Sequence, residues 1–347
     1  MYRALLSPEA PARNSVPPPR VGVGERSFRV HLGLRLVGLL ITSGLLCVAA
    51  EAETLKIATY NVENYVAADR MTDAGFRKAY PKPESEKHAL RQVILRLDAD
   101  VLAIQEMGPR PYLDELLRDL KREGLDYPYA VLLDGPDTER HVAVLSKRTL
   151  QANPHEALSF SYFGSQENVK RGLLELRLMT SAGELTLFAV HLKSRYTDRP
   201  DDPESALRRE GEAAAVQSAI EKAIPSREGR FLVLGDFNDD RASRTVQRLL
   251  KHGNRRVAVL LPAVDSRGET WTHHYHKEDR YSRLDHILVS PALMPSVRGG
   301  VGYIEDGVGT LDASDHRPLV VTLDFPEKKA GPKTGLEKET NEKVNVP

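Results

Sequence analysis

The chain has 347 residues, of which 41% are apolar and 28% charged, and its 49 basic residues are matched by 49 acidic ones. That length can enclose a substantial core. The even balance of charge excludes a protein held on nucleic acid by overall positive charge alone, although a local basic groove stays open.

The N-terminal segment reads as a signal rather than as part of a fold. Arg3, Arg13, Arg20, Arg26, Arg29 and Arg35 face only Glu9 and Glu25, and the uncharged run LVGLLITSGLLCVAA (36–50) follows. Arginines, a short apolar run and then small residues describe a secretory signal peptide, expected over 1–50 with cleavage after Ala50 or, alternatively, Ala52. An uncleaved anchor is the competing reading, but the run is shorter than the ~20 residues a comfortable span needs. Cleavage would remove six arginines and two glutamates, leaving 43 basic and 47 acidic residues, a net charge of −4. It would also remove Cys47, the only cysteine, so the mature protein would carry no disulfide and no thiolate metal site. The expectation is a secreted or periplasmic monomer without stable membrane association.

Strand-like and helix-like segments then alternate. TLKIATYNV (54–62) is rich in β-formers. ESEKHALRQVILRLDAD (84–100) places Leu90, Val93, Ile94 and Leu97 at helical spacing. VLAIQE (101–106) is a short apolar run ending in an acid, and 111–123 is a helix with Pro111 in its first turn. HVAVLSK is another strand. Residues 172–194 read as a hairpin through Ser181-Ala182-Gly183, 203–224 as a helix, and FLVLGDFN (231–238) as a strand entering a turn. RLDHILVS (283–290) and RPLVVTLDF (317–325) are the last strands. This order predicts mixed sheets covered by helices in one domain, 53–326. The Lys- and Glu-rich stretch 327–347 lacks aromatic residues and is expected to be a disordered polar tail.

One pattern recurs: apolar strands end in polar residues suited to chemistry. Asn61 ends the first strand, Glu106 ends VLAIQE, and His191 ends LTLFAVH. Asp236 and Asn238 follow FLVLG, Asp285 and His286 lie in RLDHILVS, and Asp315 and His316 precede the final strand. Each has a bland alternative, such as a turn residue, a cap or a satisfied core histidine. Asp285 is hardest to dismiss, because a lone buried carboxylate is costly. His286 alternates with it and is expected to face the other way, as a structural residue. Sites in layered α/β proteins gather where strand ends converge. Glu, Asp and Asn offer hard oxygen donors that suit Mg²⁺ or Mn²⁺, and His/Asp groups remain to move protons. That combination suits phosphoester hydrolysis.

The ordered series TYNVEN, IQE, HLKS, GDFND, SRLDHI and SDHRP resembles the endonuclease/exonuclease/phosphatase superfamily over roughly 54–325. The resemblance implies a four-layer α/β/β/α sandwich with the site at one edge of two sheets. It implies Glu106 as the main metal ligand with Asn61 beside it, and Asp315 at the metal through water or fixing a histidine ring. Asp236 would activate the water, Asn238 would hold that water or a phosphate oxygen, and His191 would donate to phosphoryl oxygens. His316 would stabilise the pentacovalent state or orient the water, and Asp285 would orient a site histidine. Arg171 is a candidate phosphate contact, with a solvated arginine as its alternative, and Tyr275 is a candidate substrate contact. Trp271 is expected to pack. His273, His274 and His276 tempt a zinc reading that no cysteine supports. The stretch 193–210 is expected to form a cleft rim.

The leading functional expectation is an exported Mg²⁺- or Mn²⁺-dependent phosphodiesterase, nuclease-like, with nucleic acid as one candidate substrate. The rivals are a phosphatase or phosphodiesterase on lipid headgroups, inositol phosphates or sugar phosphates, and a non-catalytic binding module of the same fold. The absence of a long apolar loop in the sequence reading weighs against an interfacial lipase.

Overall fold

In the computed structural model, residues 52–325 are described, apart from Asp73 and Asp198. The expected signal segment 1–50, with Cys47, and the expected tail 327–347 lie outside the described residues. Strand β1 (Glu53–Tyr65) leads into a hairpin of β2 (Ala68–Thr72) and β3 (Gly75–Tyr80), then helix α1 (Glu84–Leu97). β4 (Val101–Met107), helix α2 (Arg110–Arg122), β5 (Tyr129–Leu133), β6 (His141–Ser146) and β7 (Gln151–His155) follow. A short hairpin of β8 (Ser159–Tyr162) and β9 (Ser165–Asn168) precedes the long hairpin β10 (Leu173–Thr180) and β11 (Gly183–His191). Helix α3 (Ala206–Ala223), β12 (Phe231–Asp236) and helix α4 (Arg244–Leu250) come next. The last part holds β13 (Lys251–His252), β14 (Arg255–Arg256), β15 (Val259–Leu260), β16 (Ala263–Val264), β17 (His273–Tyr275) and β18 (Arg280–Ser282). It ends with β19 (Asp285–Val289), β20 (Gly302–Ile304), α5 (Thr310–Ala313) and β21 (Leu319–Phe325).

Two large mixed sheets result, in the orders β16-β20-β21-β1-β4-β6-β5 and β15-β19-β12-β11-β10-β7. They pack face to face through Ile57, Val101, Val144, Leu176, Leu187, Leu232, Ile287 and Val321, all buried. Alternation along β1 sends Leu55 and Ile57 to this inner core and Ala58 and Tyr60 to the opposite face. There, Leu90, Val93 and Ile94 of α1 and Leu113, Leu116 and Leu120 of α2 cover the first sheet. Val216 and Ile220 of α3 and Val246 and Leu249 of α4 cover the second sheet over Phe188, Val190, Val233 and Leu288. The architecture is therefore the α/β/β/α sandwich that the family resemblance implied. Asp98, at φ 41° just past α1, closes that helix in the left-handed region.

Local structure adds to the sequence reading in two places. The first strand runs past Val62 to Tyr65, with a bulge between Asn61 and Tyr65. The β2–β3 hairpin was not foreseen, because residues 68–80 show no clean alternation, and its cross-strand pair Met71 and Phe76 is exposed. Among the described residues, no helix is long and apolar enough to cross a membrane.

Strand direction places the chemistry. β1 and β4 run parallel, and so do β11 and β12, so each pair ends at a common edge. In β11 and β12, His191 lies opposite Asp236. Across the antiparallel β12–β19 ladder, Asp236 lies opposite Asp285. Gly235 makes this close approach feasible: its φ is +146°, and a Cβ there would sit 1.9 Å from the Val190 carbonyl oxygen.

Candidate active site

Asp236 is the hub of the cluster. It is 1% exposed, and its Oδ2 accepts the Asn61 side-chain amide at 3.0 Å and the Asn238 side-chain amide at 3.1 Å. Its Oδ1 accepts the Asn238 backbone N–H at 2.7 Å. Because Asn61 comes from the first sheet and Asp236 from the second, that bond joins the sheets at the edge where both end. The His191 and His316 Nε2 atoms stand 3.6 and 4.0 Å from Asp236 Oδ2. Glu106 Oε1 is 4.0 Å from His191 Nε2, while its Oε2 accepts the Asn64 N–H at 2.9 Å. Asn61, Glu106, His191, Asp236, Asn238, Asp285 and His316 thus gather at one centre. Glu106 and Asn238 adopt positive φ of 63° and 52°. Such strain costs roughly 1–3 kcal/mol per residue and clusters at functional sites.

Charges in this centre are set by burial and by one another. Burial pushes the Asp236 carboxyl up to about 7, with the His316 charge pulling down and Asp285 pushing up. Burial works against a charged His316, yet Asp285, which accepts from its Nδ1 at 2.8 Å, holds the imidazole well above its usual range, helped by Asp236 and Asp315. Its surroundings thus favour the charged form of His316. His191 goes the other way: burial, then the charges of Arg171, His316, Arg140 and Lys170, hold it well below the usual histidine range. The site thus pairs a histidine whose neutral form is favoured with one whose charged form is favoured, around a carboxylate raised to about 7, an arrangement suited to acid–base catalysis.

A second polar group flanks the first. Asp315 Oδ2 stands 3.6 Å from His273 Nε2, and the His273 and His316 rings lie 4.6 Å apart. Asp315 therefore faces His273, while Asp285 fixes His316. Burial and then Asp315 push Glu63 up to about 7, and Glu63 accepts the Asp315 N–H at 3.2 Å. Lys82, with no exposed side-chain surface, stands 3.7 Å from Glu63 and 3.1 Å from Glu86.

The remaining expectations divide. Asp285 and His286 face opposite ways: His286 Nε2 bonds the Asp239 carbonyl at 2.9 Å, away from Asp236. Arg171 is not a solvated arginine. It is 5% exposed, its Nε stands 3.1 Å from Asp137, and its Nη1 is buried without a hydrogen-bond partner. Tyr275 is two residues along β17 from His273, so it lies on the same strand face. The three histidines do not converge for zinc: His274 stacks on Tyr281 with ring centroids 4.2 Å apart and bonds Asp279, and only His273 turns to the site. Trp271 packs under Arg317, whose guanidinium carbon is 3.4 Å from the indole centroid.

Sequence reasoning missed Glu63, Ser314 and Arg317, although all three lie inside quoted motifs. The Ser314 hydroxyl donates to the Asn61 carbonyl at 2.8 Å and accepts the His316 N–H at 3.0 Å. Arg317, 1% exposed, pairs with Asp265 at 2.8 Å and bonds the Trp271 carbonyl, anchoring the loop. The polar anchors beside Asp315 and His316 were the available signal.

The donor set fits a hard divalent ion. Glu106 has one oxygen committed to the backbone and the other turned to the site, and Asn61 Oδ1, which accepts the Glu63 N–H at 3.0 Å, keeps a second lone pair. Two further sets of three ligand atoms lie within 4.8 Å of one another, Asp236/Asp285/His316 and His273/Asp315/His316. The Asp285–His316 hydrogen bond already occupies the first set, which favours proton handling there.

The Endonuclease/Exonuclease/phosphatase family model matches residues 58–316. The chain belongs to that family. Members of the family are phosphoester hydrolases, and the match to solved structures of this fold spans nearly the whole of those structures. Beta toxin from Staphylococcus aureus, a mutant with bound magnesium ions, is 15% identical with TM-score 0.55, covering 80% of this chain and 100% of its own. Sphingomyelinase C from Streptomyces griseocarneus is 16% identical with TM-score 0.52, covering 78% and 99%. The human nocturnin catalytic domain with bound sulfate is 14% identical with TM-score 0.53, covering 79% and 98%. At these identities the likeness concerns the fold. No curated protein sequence matches the chain.

Proposed function

We propose that the protein is an exported, divalent-metal-dependent phosphodiesterase of nuclease type. The observation that carries this reading is the buried Asp236 carboxylate, pushed up to about 7 and surrounded by Asn61, Asn238, His191 and His316. A base with that affinity for protons takes one from water at neutral pH without holding it too tightly. Asn238 and Asn61 hold the carboxylate in one orientation. His316, charged through Asp285, stabilises negative charge growing on the phosphoryl oxygens. Neutral His191 donates one hydrogen bond to the same group. Glu106 and Asn61 would hold Mg²⁺ or Mn²⁺, with Asp315 acting through water. When bound, the ion would polarise the phosphate and neutralise its charge. The magnesium ions in the beta toxin structure support that choice of metal. Export rests on the signal-like segment 1–50, and N-terminal sequencing of secreted material tests it.

Nicking of supercoiled plasmid, with Mg²⁺ or with EDTA, beside Asp236→Asn, tests the activity. The mutant is expected to lose roughly 10²–10⁴-fold, the range for a general base. No nicking at any Mg²⁺ or Mn²⁺ concentration would overturn the nuclease reading. A second reading, hydrolysis of lipid headgroups, is favoured by one observation: the exposed Met71 and Phe76 on the hairpin that follows β1. Cleavage of phospholipid in vesicles, with no action on plasmid, would favour it.

A further inference from the structure

The loop between β5 and β6 carries a carboxylate that the proposed chemistry does not use. Asp137 is 7% exposed, and its Oδ1 accepts the backbone N–H groups of Glu139 and Arg140, each at 3.1 Å. Its Oδ2 stands 3.1 Å from Arg171 Nε and 3.8 Å from Lys170 Nζ. The Asp137 N–H also donates to the Lys170 carbonyl at 2.9 Å, so the loop is stitched to the start of β10. Arg140, at the end of the same loop, donates from Nε to Asn64 Oδ1 at 2.6 Å, and the Asn64 N–H donates to Glu106. One carboxylate thus organises three cations on the side of the site bounded by Glu106 and His191.

These three cations share two direct carboxylate partners, Asp137 and Glu139. Asp137 serves both Arg171 and Lys170, and Arg140 has only the exposed Glu139 besides Asn64. Glu212 lies buried beneath them, with its carboxylate already accepting the N–H groups of Lys170 and Lys193. The Arg171 Nη1 donor, in a side chain only 6% exposed, has no protein partner. A buried unpaired guanidinium donor is costly, and a site that takes an anion there removes the cost. Arg140 is one hydrogen-bonded residue, Asn64, away from Glu106, which places the cluster at the flank of the centre.

We infer that Arg140, Lys170 and Arg171, held together by Asp137, form a second anion subsite beside the scissile phosphate. The substrate is then a phosphodiester that carries another phosphate one linkage away, rather than a lone phosphodiester with a neutral or cationic headgroup. This rests on the phosphodiesterase reading above, and it names the substrate class for that same site. Two sources share this chemistry: a polynucleotide strand and a small bisphosphate.

Two chromogenic probes that differ by one group decide the matter: the p-nitrophenyl ester of thymidine 5′-phosphate, with and without a 3′-phosphate. The wild-type protein with Mg²⁺ is expected to favour the 3′-phosphorylated probe at least tenfold in kcat/KM. Lys170→Glu, a partly exposed position, and Asp137→Asn are expected to shrink that preference by about tenfold, with KM carrying most of the change. Arg140→Gln should do the same. Equal kcat/KM for both probes in the wild type, or variants that depress both probes alike, would overturn the subsite. Hydrolysis of neither probe, nor of plasmid, would instead sink the phosphodiesterase reading itself. A trinucleotide cleaved faster than the bisphosphate would identify a strand as the source, and parity would identify a small molecule, either result sustaining the subsite.

Discussion

Alanine at Gly235 would test whether the centre depends on the close approach of β11 and β12. A Cβ at this position would meet the Val190 carbonyl oxygen at 1.9 Å and its carbon at 2.9 Å, both backbone atoms that no rotamer change can move. The strands must separate by more than 1 Å to reach normal contact, and Gly235 lies between Leu234 and Asp236 in that ladder. Overpacking of this kind costs ~1–3 kcal/mol and the glycine-type backbone angle another ~1–3, so the whole change should cost about 2–6 kcal/mol. For a domain of this size that corresponds to a fall in Tm on the order of 10 °C. His191 and Asp236 would move with the strands, and a misplacement near 1 Å costs about 100-fold in rate. Thermal unfolding by circular dichroism, with phosphodiester cleavage assayed at a temperature where the variant is folded, reads both quantities. Gly253→Ala is the control: its φ is +56°, but nothing lies within 4 Å of the added carbon, so only the backbone cost of about 1–2 kcal/mol applies. If Gly235→Ala unfolds with the control and cleaves at the wild-type rate, the packing argument is wrong.

Other consequences can be read separately. Asp285→Asn removes the charge that holds His316 well above the usual histidine range, so the imidazole should titrate lower by NMR and cleavage should fall roughly 10²–10⁴-fold; an unmoved titration would contradict the assignment. Asp236 and Glu63 both titrate near 7 in the folded metal-free protein, above their ordinary values of 3.8 and 4.5. A raised folded value contributes stability that is complete below about pH 4 and is lost as pH rises through 7. His316, also raised, has the same sign. His191 and His286, both lowered, act with the opposite sign below the ordinary histidine value of 6.5, so the metal-free protein should have a lower urea midpoint at pH 8 than at pH 6.5, and Mg²⁺ should restore it; equal midpoints would argue against the buried acids. Arg317→Met strands the buried Asp265 and should cost about 3–5 kcal/mol, much of it recovered by adding Asp265→Asn, as measured by urea unfolding.

The polar residues at strand ends were legible because each stands against an apolar run, as in VLAIQE and FLVLGDFN. Their partnerships were not. That Asp285 fixes His316 while Asp315 turns to His273 follows from register across β12 and β19 and from the bridge between His273 and His316. Register is a pairing between distant segments, and no local pattern encodes it. Arg171 was visible as a basic residue, but the carboxylate that organises it lies in a loop, 34 positions earlier, with no periodicity to mark it. The strained turn at Glu63 and Asn64 was missed because positive φ at non-glycine residues leaves no trace in composition.

The hydrogen bond between Asn61 and Asp236 spans 175 positions, and the Ser314 hydroxyl reaches back 253 positions to the Asn61 carbonyl. A ribosome delivers these groups in order, so a nascent chain holds Asn61, Glu106, His191 and Asp236 well before His316 emerges. Until the final segment is released, the centre lacks His316 and the Ser314 tie to the first strand. Cleavage of phosphodiesters would therefore begin only after translation has passed residue 316, and arrested chains of increasing length should switch from inert to active in a single step.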